Sequence, residues 1–418
     1  LPNMRLYTTY GYRFLITNAY GATWIEPMMF TTGSGLPMSM IWNGGGGANL
    51  NIDATTNWAT ATTLDFNGAT HAFFGTGGST AMINRAICLY GITFNRAGAF
   101  TLASSSNAIA LRGGGVTAVL PTATSRTYTI AENITCVDQQ NWNIGSNLTG
   151  LATVEVTGSI SDSVLPCGLA KTGEGTLTLK AANSYQGLTS VSNGLLAITH
   201  AQALGSTNSE TLVRATQGGR LQLSGNITVA EPLTLNGERA NSGYSMISSS
   251  GSNIWSGPLT RIGQTRINTA SGSTLVMTGG ATGGGSLFVV NAGGTFVLAE
   301  KPALIGTTGF WTDSGGLTVL AVSNNVWGDT TIGRGIVRTD VPLALPTNTI
   351  VRMGLPYAAG GTLDLNGNDQ TVAGLLTGTP TAGVRVVASR LPATLTLNQN
   401  MASATFDGAF TGMVRLVK

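Results

Sequence analysis

Short alternating runs, each ended by Gly, Asn or Asp, dominate the chain. Examples are Thr176-Leu177-Thr178-Leu179, Leu221-Gln222-Leu223-Ser224-Gly225, Leu233-Thr234-Leu235-Asn236-Gly237, Leu275-Val276-Met277-Thr278-Gly279, Leu363-Asp364-Leu365-Asn366-Gly367 and Leu395-Thr396-Leu397-Asn398. Each places Leu or Val on one face and Thr or Ser on the other, the pattern of a half-buried β-strand. The trailing Asn-Gly pairs tolerate positive φ. They suit either a tight hairpin or a corner between the strands of a solenoid.

The spacing of the runs decides between those two. Strand signals recur roughly every 10 to 12 residues, and no helical periodicity interrupts them. A sandwich must share one core between two sheets and usually ends by about 250 residues. In a β-solenoid each rung contacts only its neighbours, so length is unconstrained. The predicted fold is all-β: a right-handed parallel β-helix (β-solenoid). At ~20 to 25 residues per rung, the chain makes roughly 16 to 20 rungs and about 80 to 95 Å of rod.

Composition sharpens this picture. Only 9 % of the 418 residues are charged, against about 25 % in an ordinary domain. The 58 glycines are roughly twice the usual share. Few helix-surface residues remain, while 42 % hydrophobic residues supply a core and exclude disorder. In a parallel stack, like residues lie ~4.8 Å apart on successive rungs. Like charges repel there, whereas Thr, Ser and Asn ladders can hydrogen-bond.

Three textures follow one another. Residues 1–40 hold five of the 11 methionines (Met4, Met28, Met29, Met38, Met40) and four of the 9 tyrosines (Tyr7, Tyr10, Tyr12, Tyr20), with Phe14, Trp24 and Phe30. This atypical N-terminal segment is expected to be a cap or an assembly segment. An open solenoid end is an edge strand that something must cover, and Met mixed with Tyr suits protein packing better than sugar stacking. Residues 41–418 are expected to be the solenoid, with the clearest self-similarity over 160–418. Glycine tracts at 44–47, 113–115 and 283–285 read as turns or protrusions.

The most specific stretch is Leu169-Ala170-Lys171-Thr172-Gly173-Glu174-Gly175-Thr176-Leu177-Thr178-Leu179. It runs on through Ala182-Asn183-Ser184-Tyr185-Gln186-Gly187-Leu188-Thr189 to Val191-Ser192-Asn193-Gly194-Leu195-Leu196. It resembles the autotransporter-associated β-strand repeat of passenger domains in Gram-negative surface proteins, which reads L-x-K-x-G-x-G-T-L-T-L, then A-N-x-Y-x-G-x-T-x-V-x-x-G-x-L. Leu188 stands where that family usually has Gly or Thr, and the Thr before Leu195 is missing. The matched structural positions are Lys171, Gly173, Gly175, Leu177, Leu179, Asn183, Tyr185, Gly187 and Gly194. Asn253-Ile254-Trp255-Ser256-Gly257 is similar to segments that such passengers carry between full repeats, and Asn325-Val326-Trp327-Gly328-Asp329-Thr330-Thr331-Ile332, followed by Gly360-Gly361-Thr362-Leu363-Asp364-Leu365-Asn366-Gly367, resembles a degenerate second repeat. Leu416-Val417-Lys418 aligns with Leu169-Ala170-Lys171, so a further repeat is expected to follow.

The resemblance implies an extracellular or cell-surface location, outer-membrane-associated in a Gram-negative bacterium, and a structural or adhesive role. A homopolymeric fibre joined through residues 1–40 is the alternative, and a polysaccharide-active or tailspike-like β-helix is a second one. Expected partners are other copies of the chain, and host or environmental surface glycans. The net charge of +3 is dispersed, which argues against nucleic acid, and no apolar run of ~18 residues spans a membrane.

No catalytic site is expected, and no cofactor or metal. The 18 carboxylates spread to about one per rung, whereas glycosidases need two within about 5 to 9.5 Å. Asp364 with Asp369, and Asp162 with Glu174, are the nearest candidates, and each reads as a turn carboxylate. His71 and His200 are the only histidines, and His200 reads as a turn residue. Three Asn-x-Thr sequons (at Asn133, Asn147 and Asn226) are what so Asn- and Thr-rich a chain holds by chance. Cys88, Cys136 and Cys167 match no zinc spacing. They read as small buried hydrophobes, with room for one bridge between stacked neighbours.

Overall fold

A computed structural model describes residues 9–18, 21–24, 28–31, 38–59, 66–104, 107–147, 150–238, 243–306, 308–313, 315–355, 360–378, 383–398 and 405–418. Before residue 38, side chains are described only for 13–15, 17 and 21. The chain is a parallel β-solenoid with almost no helix. Three long sheets of 14, 15 and 10 strands run along it, and successive turns supply neighbouring strands.

Between 246 and 304 every turn gives a segment to each sheet. Met246–Ser250, Ser252–Trp255 and Leu259–Ile262 are followed one turn on by Thr265–Thr269, Thr274–Met277 and Ala281–Gly283. The cross-section there is triangular. In the first half, long strands reach round a corner. Ala108–Val119 pairs at one end with Asn133–Cys136 and at the other with Gln140–Ile144, and against Ile87–Asn95 of the turn before its register shifts between Leu111 and Gly115.

Alternation decides what lies inside. Gly219–Ser224 alternates buried and half-buried residues along its length, because successive side chains of a strand point to opposite faces. Parallel register then stacks the inward residues into columns. One column of the second sheet runs Phe100, Tyr128, Val154, Leu177, Leu196, Leu221, Met246, Ile267, Val289, Thr312, Ile332, Met353. All twelve are buried, and each large apolar member contributes about 2 kcal/mol by leaving water.

There are about 14 turns, fewer than the 16 to 20 that chain length suggests. The step between neighbouring turns varies from 19 residues (Thr176 beside Leu195) to 32 (Met38 beside Thr70). Surplus residues leave the ladder as loops, and the first solenoid strand is Met38–Trp42. The rod is therefore about 65 Å long at ~4.8 Å per turn.

Ahead of it, Thr9–Tyr12 pairs antiparallel with Met28–Thr31, and Leu15–Asn18 with Gly21–Trp24, as one nested hairpin. Among the described residues these strands join none of the solenoid sheets. The backbones of Tyr10, Tyr12, Trp24 and Phe30 belong to this hairpin. Phe14 sits between two of its strands with its side chain exposed. Tyr7 and Tyr20 lie outside the described residues.

Candidate functional site

The conspicuous repeat, residues 169–198, folds into one turn and the start of the next, and its signature residues hold the corners. Lys171 shares the inward face of Leu169–Thr172 with Leu169, as alternation requires. Its side chain is fully buried. The ammonium donates to the carbonyls of Thr172 (2.9 Å), Gly173 (2.7 Å) and Asn193 (3.0 Å). Among the described residues no carboxylate pairs with it. Burial, with Arg220 adding repulsion, pushes its pKa down to about 7.

Gly173 and Gly194 sit at stacked corners with φ of 74° and 71°. A Cβ on Gly194 would lie 2.4 Å from the carbonyl oxygens of both Gly173 and Gly175, so only glycine fits the conformation and the space. Gly175 and Gly187 are also packed against backbone of the preceding turn. Leu177 and Leu179 are buried in the core.

Asn183 joins three turns. Its Oδ1 accepts the Ile160 N–H (2.8 Å) from the turn before, and its Nδ2 donates to the Ala203 carbonyl (2.5 Å) of the turn after. Two residues on, the buried Tyr185 hydroxyl meets Thr189 Oγ1 at 2.7 Å. The same device returns at Asn325-Val326-Trp327. Asn325 accepts from the Ala303 N–H (2.8 Å) and donates to the Ala344 carbonyl (2.8 Å), while Trp327 Nε1 donates to Thr330 Oγ1 (2.7 Å). Asn253 likewise accepts the Ile227 N–H (3.1 Å) but spends its donors inside its own turn, on Ser248 and Ser250. The Asn-x-aromatic segments read from the sequence are thus one structural unit used three times.

Beside this unit lies a stretch without strands. Between Ile160–Asp162, the last strand of a branch of the first sheet, and Thr228–Val229, the end strand of the third, the segments 183–187 and 201–207 bend without forming strands. The gap leaves a cleft of about 470 Å³, lined by Asn183, Gln186, Gln202, Ser206, Thr228 and Glu231 among others. Amides and hydroxyls dominate its polar lining. Glu231 is its carboxylate: burial pushes its pKa up to about 8, against a weak hydrogen bond (3.4 Å) from the Thr211 hydroxyl. Nothing in the run Ala230-Glu231-Pro232 marks that acid as buried, so the sequence does not single it out. A second cleft, about 450 Å³, is lined by Trp311, Asp329, Thr331, Arg352 and Leu355 among others; its carboxylate is ion-paired, Arg352 Nε to Asp329 Oδ2 at 2.8 Å.

The other candidate acids are employed in turns. Asp162 accepts the Cys167 and Gln186 N–H groups, and Glu174 accepts from the Ser146 hydroxyl. Asp364 accepts the Asn366 N–H and Asp369 the Thr394 N–H. His200 Nδ1 accepts the Gln202 N–H, as a turn residue does. His71 meets Thr93 Oγ1 at 2.8 Å and stacks on Phe73, and burial lowers its pKa. Among the described residues no His, Cys, Asp and Glu gather in a group able to hold a metal ion, and no helix is long and apolar enough to cross a membrane.

Residues 169–198 match the model of the passenger-associated-transport-repeat family, in line with the resemblance to autotransporter passenger repeats drawn from the same stretch. No curated protein matches the chain, and no solved structure does.

Proposed function

With a passenger-associated-transport-repeat built into one of its turns, we propose that this solenoid is a passenger-type protein carried to the surface of a Gram-negative cell, or released from it. There it acts by shape and surface, as a structural or adhesive rod rather than as a catalyst. The family match is the observation that carries the location. The non-catalytic reading draws support from the clefts, which offer one carboxylate each where glycoside hydrolysis uses two. Glycans of host or environmental surfaces are the partners such a rod would meet, and the amide- and hydroxyl-lined cleft beside Asn183 suits neutral sugars. The test is surface digestion of intact producing cells by a protease, with a periplasmic protein as control, followed by adhesion assays on a deletion strain. Loss of the protein from intact cells, and loss of adhesion on deletion, are expected. Protection until lysis overturns the location; unchanged adhesion overturns the adhesive role.

A second reading is favoured by one observation. The strands Thr9–Tyr12, Leu15–Asn18, Gly21–Trp24 and Met28–Thr31 pair among themselves and, among the described residues, join none of the solenoid sheets. In a homopolymeric fibre this segment would be the joint to a second copy. Electron microscopy of sheared material decides: filaments with a regular axial repeat favour the fibre, and single rods exclude it.

A further inference from the structure

Cys136 ends the strand Asn133–Cys136, and in register its neighbour on the next turn is Asp162. After Asp162 the chain swings outward, exposing Val164 and Leu165, and returns at Cys167. The return is fixed from both sides. The Cys167 N–H donates to Asp162 Oδ1 at 3.0 Å, and the Cys167 carbonyl accepts the Gly187 N–H at 3.0 Å. Asp162 therefore folds Cys167 back over the position beside Cys136. Both thiols are buried, and the Cys167 thiol donates to the carbonyl of Asp138, two residues beyond Cys136, at 2.7 Å.

Cys88 is excluded from this pair by register. It pairs with Ala110, and Ala110 with Thr135, whereas Cys136 continues the column of Leu89 and Leu111. Cys88 thus lies two turns before Cys136 and points to the opposite face of its sheet.

We propose that Cys136 and Cys167 form a disulfide that staples two successive turns at the entrance to the family repeat, with Cys88 left as the free thiol. The oxidant is a disulfide, small-molecule or protein. The Cys167 thiolate attacks one of its sulfurs and expels a thiol. The Cys136 sulfur then attacks the mixed disulfide and expels the second. The two cysteines lose two protons and two electrons, and the oxidant becomes two thiols. The neighbouring Cys136 thiol holds the Cys167 thiol below its usual pKa, while that of Cys136 is itself raised, which assigns the first attack to Cys167.

The test refolds the full chain in a mixture of reduced and oxidised glutathione, denatures it without reductant, and alkylates it with a maleimide before mass analysis. One adduct, on Cys88, and a linked peptide pair holding Cys136 and Cys167 are expected. Reduction before alkylation then gives three adducts. The Cys88→Ser chain is expected to take no adduct, and Cys136→Ser to take two, on Cys88 and Cys167. Three adducts without reduction, glutathione carried on Cys136 or Cys167, or a linkage that includes Cys88 each overturn the proposal.

Discussion

Lys171 and Arg261 occupy the same inward column of the first sheet, four turns apart, through Val191, Val213 and Leu235. Each spends its cation on backbone carbonyls rather than on a carboxylate. Lys171 reaches Asn193 in the next turn, and Arg261 reaches Gly283 (3.3 Å) and Gly285 (2.9 Å) in the next turn. Burial lowers both, Arg261 to about 10. Inside a chain so poor in charge, a buried cation serves as a tie between glycine corners.

Lys171 and Glu231 give the rod a characteristic pH profile. The folded Glu231 value of about 8 exceeds the ordinary 4.5, so the folded chain holds a proton that the unfolded chain has lost. Stability from this group is complete below pH 4.5 and is lost as pH rises to 8. The folded Lys171 value of about 7 lies under the ordinary 10.5, so its contribution is complete above 10.5 and is lost as pH falls to 7. Together they place a minimum near pH 7 to 8. Urea denaturation of wild type and Glu231→Gln should show the variant more stable by about 4 kcal/mol at pH 8 and equal at pH 4. A flat difference across that range would contradict the assignment.

Replacing Gly194 by Ala forces a side chain into left-handed backbone and against two carbonyl oxygens. Destabilisation of about 3 kcal/mol is expected. Hydrogen exchange of Leu195, whose N–H donates to the Gly175 carbonyl, reads it locally, because unfolding of a repeat rod need not be two-state.

Asn183→Ala removes an acceptor and a donor that meet buried backbone groups of two other turns. A loss of about 3 kcal/mol is expected, with faster amide exchange at Ile160. Asn183→Asp keeps the acceptor and should protect Ile160 while loosening the turn at Ala203. Equal effects of the two variants at Ile160 would refute the clamp.

Thr312 interrupts an apolar column, and its buried hydroxyl has no hydrogen-bond partner among the described residues. Thr312→Val keeps the shape and removes the desolvated oxygen. A gain of about 1 kcal/mol is expected by thermal denaturation.

Much of this was legible in the sequence because it is periodic. Alternation puts Leu177 and Leu179 inside, and the repeat resemblance picks out Lys171, Asn183 and Tyr185 as structural positions without showing what they bond. What was not legible depends on register. The separation of Cys136 from Cys167 says nothing of contact until Asp162 is known to lie against Cys136. Turn lengths between 19 and 32 residues shift every later position, so neither the number of turns nor the burial of Glu231 follows from pattern alone. The hairpin of residues 9–31 has antiparallel pairing that its aromatic and Met-rich composition does not encode.

The uneven turn length has a consequence for how such a rod can vary. Residues added at a corner leave the ladders on either side in place and emerge as a loop, as the exposed excursion through Val164 and Leu165 after Asp162 does. Stiffness and outward appearance are therefore set by different positions. Corner insertions can change what a surface sees of the molecule while its length and rigidity stay the same, which lets recognition diversify without the fold having to be solved again.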